Sequence, residues 1–158
     1  MLQNVLLILG LLSFMKPDEA YKYPGAGVIL YKNNSILLVQ SMFTGKWSFT
    51  KGTHEASDTT FRKNAVREVW EEAGFLENQD YTITGGPCIY GERPYWFGTM
   101  IKDKEPVLNM NEHQDIHWFY FQDMHRLRKT NNDVKDWKKK GMPFGCLLQN
   151  VDEIDEVA

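Results

Sequence analysis

Lys51–Phe75 reads KGTHEASDTTFRKNAVREVWEEAGF, and this stretch decides how the rest of the chain is read. A glycine-bearing loop leads into a helix that stops at Gly74. Ser57, Asp58 and Thr59 are all N-cap residues by type, so the helix is expected to start near Thr59 or Thr60. Gly74 suits the left-handed position that closes a helix. The helix carries Arg67, Glu68, Glu71 and Glu72. With Glu68 as origin, Glu71 falls about 60° to one side and Glu72 about 40° to the other. Three carboxylates therefore crowd one face, and Ala65, Val66, Val69, Trp70 and Ala73 are expected to be buried on the opposite one. Like charges this close repel, at about 0.2–0.5 kcal/mol per exposed pair. A cation set against them removes that cost. Hard divalent cations such as Mg²⁺ take oxygen ligands and are commonly completed by substrate phosphates.

On these residues the stretch resembles the Nudix box of pyrophosphohydrolases, G-x5-E-x7-R-E-U-x-E-E-x-G-U with U aliphatic. Gly52, Arg67, Glu68, Val69, Glu71, Glu72 and Gly74 stand where that pattern asks, and Phe75 replaces the last aliphatic residue. The loop departs from it. One residue too many separates Gly52 from Arg67, so an insertion near Thr53 is expected, with Asp58 in place of the usual Glu. The approach, Trp47-Ser48-Phe49-Thr50-Lys51-Gly52, is similar to the W-x-F-P-K-G run of dinucleoside-polyphosphate hydrolases and mRNA-decapping enzymes, with Thr50 for proline.

The resemblance implies an α/β fold, the Nudix-type α/β/α sandwich around a small mixed sheet. It implies a Mg²⁺- or Mn²⁺-dependent enzyme that cleaves a diphosphate linkage, with a dinucleoside polyphosphate or a 5′-capped RNA end as the leading substrates. An inositol pyrophosphate is the alternative substrate. A Nudix-fold nucleotide- or RNA-binding module that has lost turnover is the alternative function. Glu68, Glu71 and Glu72 match the metal-ligand positions, and the backbone carbonyl of Gly52 is a further ligand. Arg67 braces the acidic cluster, and Lys51 meets a phosphate oxygen. Glu112, six residues before Trp118, is the expected general base or a ligand of an extra metal, with Asp115 and Glu105 as fallbacks. Glu71 stays open as a base. Tyr90 and Trp96 are candidates to stack on a base of the substrate.

The 158 residues suit one domain, and the net charge of −3 argues against non-specific binding to long nucleic acid, so no stable DNA complex is expected. Basic runs at Arg126–Lys129 and around Lys138–Lys140 are the places where an RNA body could rest. Cys88 and Cys146 have no metal-ligand spacing, and two free thiols in a cytoplasmic, reducing setting is the simpler reading. His113 and His117 are four apart at a loop-to-strand junction and do not read as a zinc site.

Residues 1–20 are expected to form an apolar extension, and residues 21–158 a single Nudix-like hydrolase domain. The run from Val5 to Leu12 is too short to span a bilayer, and no basic residue precedes it. It is expected to pack on the domain or across a homodimer, with signal or anchor as the alternative. Gly25–Tyr31 and Ile36–Gln40 read as a hairpin, the second strand buried on both faces. Short strand pieces flank Gly85-Gly86, and a second hairpin is expected with Ile89–Tyr90 against Trp96–Phe97. Ile116–Phe121 is the last strand. Helical segments are expected from Gln122 and around Asp133–Trp137, the latter ending at Gly141.

Overall fold

Strand β1 (Gly25–Lys32) sends alternate side chains to two buried faces. Ala26, Val28 and Leu30 go to one core cluster, Ile29 and Tyr31 to the other. The period of two makes this automatic once both faces are covered. Strand β2 (Ser35–Ser41) does the same, with Leu37 on the first side and Ile36 and Leu38 on the second. The structure is a computed structural model, and it describes residues 22–141.

The other strands are β3 (Trp47–Ser48), β4 (Thr50–Thr53), β5 (Tyr81–Tyr90), β6 (Arg93–Met100) and β7 (His113–Tyr120). They join β1 and β2 in one seven-stranded mixed sheet. β1 pairs in parallel with β6 along one side. On its other side it pairs antiparallel first with β4, from Gly25 opposite Thr53 to Val28 opposite Thr50, and then with the start of β2. β7 runs antiparallel along β2. Helix α1 (Phe61–Ala73) covers the first face through Phe61, Ala65, Val69 and Ala73. A 3₁₀ turn (Phe121–Arg126) and helix α2 (Asn132–Lys140) cover the second through Met124, Val134 and Trp137. The expected α/β/α layering is present. Each fully buried Val, Phe or Met side chain among these contributes roughly 1.5–3 kcal/mol.

Helix α1 starts at Phe61, later than expected, because Thr60 is the residue that caps it: its hydroxyl accepts from the Lys63 amide at 3.0 Å. Gly74 closes it with φ of 72°. Its acidic and apolar stripes are neighbours rather than opposites. Glu68 and Glu72 are buried beside Ala65, Val69 and Ala73, whereas Trp70 is 52% exposed. The helix axis is rotated so that its acids face the sheet edge at β4, which turns Trp70 outward.

The second hairpin also differs from expectation. β5 is one strand across Gly85-Gly86, with register shifts there. Its turn is Gly91-Glu92 alone, so Arg93 and Pro94 belong to β6. That short turn sets the register, and Cys88 lies opposite Tyr95 and Tyr90 opposite Arg93. Cys88 is fully buried and disulfide-bonded, which corrects the expectation of a free thiol. The last helix matches its expected position and end at Gly141. Cys146, the extension at residues 1–20 and the tail beyond Gly141 lie outside the described residues. Among the described residues, no helix is long and apolar enough to cross a membrane.

Asp80 ties the segment after α1 to the far end of the hairpin. Its carboxylate accepts from the Leu76 amide at 2.9 Å and from Lys104 Nζ at 3.1 Å. The Leu76 amide first, and then the lysines, hold its carboxyl below the usual carboxylate range. A lowered folded pKa stabilises the fold above the unfolded value of about 3.9 and loses that contribution as pH falls through the folded value. Asp80→Asn is therefore expected to lower the thermal midpoint at pH 7, with the gap to the parent narrowing below about pH 4. Melting curves across pH check this, and a pH-independent gap would contradict it.

Candidate active site

β4 and α1 lie against each other because Gly52 has no side chain. A Cβ there would sit 2.1 Å from Glu68 Cδ and 2.2 Å from its Oε1. Glycine lets the carboxylate reach the strand backbone. The Gly52 carbonyl accepts from Asn64 Nδ2 at 3.3 Å, and the Lys51 amide donates to Glu72 Oε2 at 3.3 Å. Glu68 and Glu72 are 6% and 3% exposed, so two carboxylates a turn apart are held out of water at this seam.

Their electrostatics follow from that burial. Burial above all, with the charges of Glu71 and Glu112 adding to it, pushes the Glu68 carboxyl up to about 7 against the opposing pull of Arg67. Burial and then Glu68 push Glu72 well above the usual carboxylate range, outweighing the Lys51 charge and amide. Burial and mutual repulsion thus disfavour the ionised form of both glutamates, and a nearby positive charge would oppose that shift.

Arg67 fastens the loop to the helix. Its Nε and Nη2 donate to Asp58 at 3.0 and 2.8 Å, and Nη2 also donates to the Thr53 carbonyl at 3.0 Å. Its Nη1 lies 3.0 Å from Glu68, 3.0 Å from Glu71 and 3.3 Å from Glu55. Asp58 hydrogen bonding raises the Arg67 pKa, and the charge is permanent. Burial raises the Asp58 carboxyl, but the Arg67 bonds and the Glu55 amide outweigh it and the net shift is downward. The extra loop residue is absorbed in a closed turn. The Asp58 amide donates to the Glu55 carbonyl at 2.9 Å, and the Glu55 amide donates back to Asp58 Oδ2 at 2.9 Å. That turn brings the shorter aspartate to Arg67.

The turn before β7 completes the cluster. The Asn109 carbonyl accepts from the Glu112 and His113 amides at 3.3 and 3.0 Å, and the Met42 amide donates to the Glu112 carbonyl at 3.1 Å. Glu72, Glu112 and His113 each place one ligand atom within 4.8 Å of the others. Glu71 stands apart from that trio: its side chain is 44% exposed and held by Arg67. Asp115 is exposed and accepts from the Ile116 amide, and Glu105 is exposed.

A cavity of about 790 Å³ opens beside Lys51, walled by Lys46, Arg93, Lys140, Asp133 and Asp136. Arg93 pairs with Asp133 at 3.3 Å and Lys140 with Asp136 at 3.0 Å. Tyr95 also donates to Asp133, beneath the cavity floor. Lys46 and Lys51 form no ion pair among the described residues. The two aromatics expected at the substrate are elsewhere. Tyr90 is fully buried and Trp96 is 3% exposed, in the two core clusters on opposite faces of the sheet. Neither presents a ring to a ligand, because strand alternation turns both into the core.

Sequence reasoning missed His113, Asn64, Lys46 and Arg93. Asn64 lies one turn before Glu68 on the same face, a signal that was readable. His113 was weighed only as a partner of His117. Four residues along a strand span about 13 Å, so those two cannot share an ion.

The comparisons agree with this architecture. The NUDIX domain family model matches residues 22–140. An Ap4A hydrolase from C. elegans, solved as a binary complex, superposes with a TM-score of 0.56 at 22% identity, covering 65% of this chain and 82% of that one. An ADP-ribose pyrophosphatase from Streptococcus suis gives 0.55 at 17% identity, with 75% and 92% covered. A NUDIX hydrolase from Nitrosomonas europaea gives 0.57 at 21% identity, with 75% and 70% covered. No curated protein matches the chain by sequence. With its sheet, its Gly52 seam and its helix of buried glutamates, the chain is a member of the Nudix hydrolase family.

Proposed function

We propose that the chain is a divalent-metal-dependent pyrophosphohydrolase whose substrate carries a polyphosphate bridge, a dinucleoside polyphosphate or a 5′-capped RNA end. The observation that carries this is the adjacency of buried Glu68 and Glu72 to a lysine- and arginine-walled cavity. An acidic seam joined through Lys51 to a cavity that also holds Lys46, Arg93 and Lys140, beside Glu92, Asp133 and Asp136, fits a metal and the phosphates it would neutralise. An inositol pyrophosphate is the second substrate reading, and it would draw on Lys46 and Lys51, since Arg93 and Lys140 are paired with Asp133 and Asp136 in the same cavity. The fold shared with an Ap4A hydrolase and an ADP-ribose pyrophosphatase supports a diphosphate substrate.

The donor set fits Mg²⁺ or Mn²⁺: Glu68, Glu72 and Glu112 supply carboxylate oxygens, the ligand type hard divalent ions take. When bound, the ion neutralises phosphate charge and polarises the phosphoryl oxygens. The chain's own residues do the rest. Arg67 keeps Glu68 and Glu71 in place and anchors the loop. Lys51, on the strand that carries Gly52, meets the phosphate charge at the seam. Glu112, exposed at the edge of the cluster, would turn one carboxylate oxygen to the ion and with the other take the proton from the attacking water as its oxygen bonds to phosphorus. The bridging P–O bond breaks, and the leaving phosphate or nucleotide departs toward the cavity.

Three outcomes test this reading. Glu72→Gln is expected to lower kcat at least about 100-fold, on whichever of a dinucleoside tetraphosphate, capped RNA or inositol pyrophosphate the parent hydrolyses. Parent protein without turnover on the whole panel, yet binding a nucleotide, would favour the binding module. A divalent ion at 100 times its Kd should stabilise the parent by about 2.7 kcal/mol, read as a rise in thermal midpoint, and Glu72→Gln should lose most of that rise. Arg93→Met should raise KM about tenfold for a four-phosphate bridge and leave a two-phosphate substrate within about twofold, the difference being one charge-assisted contact. Equal effects on both would remove the cavity from substrate binding.

A further inference from the structure

The third member of the trio is an imidazole, and no carboxylate chemistry accounts for it. His113 is 8% exposed at the first position of β7. Its Nδ1 is buried and meets no hydrogen-bond partner among the described residues. One of its ring nitrogens lies within 4.8 Å of a carboxylate oxygen of Glu72 and of Glu112. Its backbone is fixed from two sides, by the Asn109 carbonyl at 3.0 Å and by pairing opposite Ser41. The ring is therefore delivered to the carboxylates by rigid structure. Burying a polar nitrogen without a partner is unfavourable, and a ring kept there beside two carboxylates is one that gains a partner in the loaded state.

We propose that Glu72, Glu112 and His113 together form a mixed nitrogen–oxygen metal site, and that this site takes a first-row transition ion such as Mn²⁺ in preference to Mg²⁺. The proposal rests on the metal-dependent reading above and goes beyond it by adding a nitrogen donor. The chemistry is direct. Mg²⁺ holds oxygen ligands and sheds its water reluctantly, so an imidazole gives it little. Imidazole suits the transition ions, whose affinity for such donors rises from Mn²⁺ toward Cu²⁺. Three converging side chains from two elements, α1 and the start of β7, supply one nitrogen and two carboxylates. The remaining positions stay open to water or a phosphate. In this arrangement His113 sets which ion is held, and Glu68 and the Gly52 seam set where.

The test is electron spin-echo spectroscopy of Mn²⁺ bound to the full chain, with isothermal titration of Mg²⁺ and Mn²⁺ alongside. The parent is expected to show a ¹⁴N coupling from a directly bound imidazole. It should also bind Mn²⁺ at least about tenfold more tightly than Mg²⁺. In His113→Asn the coupling should vanish and Mn²⁺ affinity fall about tenfold or more, with Mg²⁺ affinity within about twofold. Bound Mn²⁺ without nitrogen coupling in the parent overturns the proposal, and that measurement needs no variant to fold. Equal losses for both ions in His113→Asn, whose fold is checked by its melting curve, overturn it as well. The two readings separate cleanly. Turnover with Mg²⁺ and no nitrogen coupling leaves the hydrolase and removes the His113 site. Nitrogen coupling without turnover on any phosphate substrate keeps the site and removes the hydrolase.

Discussion

Everything at the centre of this molecule depends on two carboxylates taken out of water at the junction of a strand and a helix. Glu68 and Glu72 lie one turn apart and are nearly fully buried. Left to themselves they repel, and burial alone drives both toward protonation. The surrounding groups answer that cost one by one. Gly52 removes a side chain so that Glu68 can approach the strand. The Lys51 amide donates to Glu72, Asn64 holds the Gly52 carbonyl, and Arg67 sets its permanent charge against Glu68. Both carboxyls remain raised despite these partners, and a bound cation, as the proposed function has it, would relieve that cost.

Arg67 also explains how the loop tolerates its extra residue. The guanidinium bridges Asp58 on the loop and three glutamates, and its fork can accept a carboxylate from a shortened side chain once the turn at Glu55–Asp58 is closed. The loop is anchored to the helix through Asp58 and Arg67. Around this seam the fold supplies rigidity. β1 shares its length between β4 and β2 and pairs β6 on its other side, so the strand bearing Gly52 is held against the buried central strand of the sheet. α2, on the opposite face, brings Asp133 to Arg93 and so positions one wall of the basic cavity.

What could be read from the sequence, and what could not, divides along the range of the interactions. The helix, its closing Gly74 and the acids on it are local: a period of 3.6 and a glycine rule place them. Strands β1 and β2 were legible because continuous apolar runs report burial on both faces. The facing of the helix was not. Trp70 and Glu72 differ in exposure because of where β4 lies, and no periodicity within Lys51–Phe75 encodes that. The aromatics failed for a related reason. Tyr90 and Trp96 look alike in sequence whether they line a pocket or fill a core, and the two-residue turn at Gly91-Glu92 settled the register that buried them. Glu112 and His113 stand near Glu72 only because the turn from Asn109 brings the start of β7 against the helix, and that meeting of residues from separate elements is the hardest kind to foresee.

The central claim is that the buried seam exists to hold a divalent cation. Its most direct test is a crystal structure grown with Mn²⁺ and phased so that anomalous scattering locates the ion. The account predicts an anomalous peak in bonding contact with the Glu72 carboxylate, on the side facing Glu112. A well-ordered seam with no peak in saturating Mn²⁺, and with the Glu68 and Glu72 carboxyls hydrogen-bonded to each other as protonated acids, would contradict it.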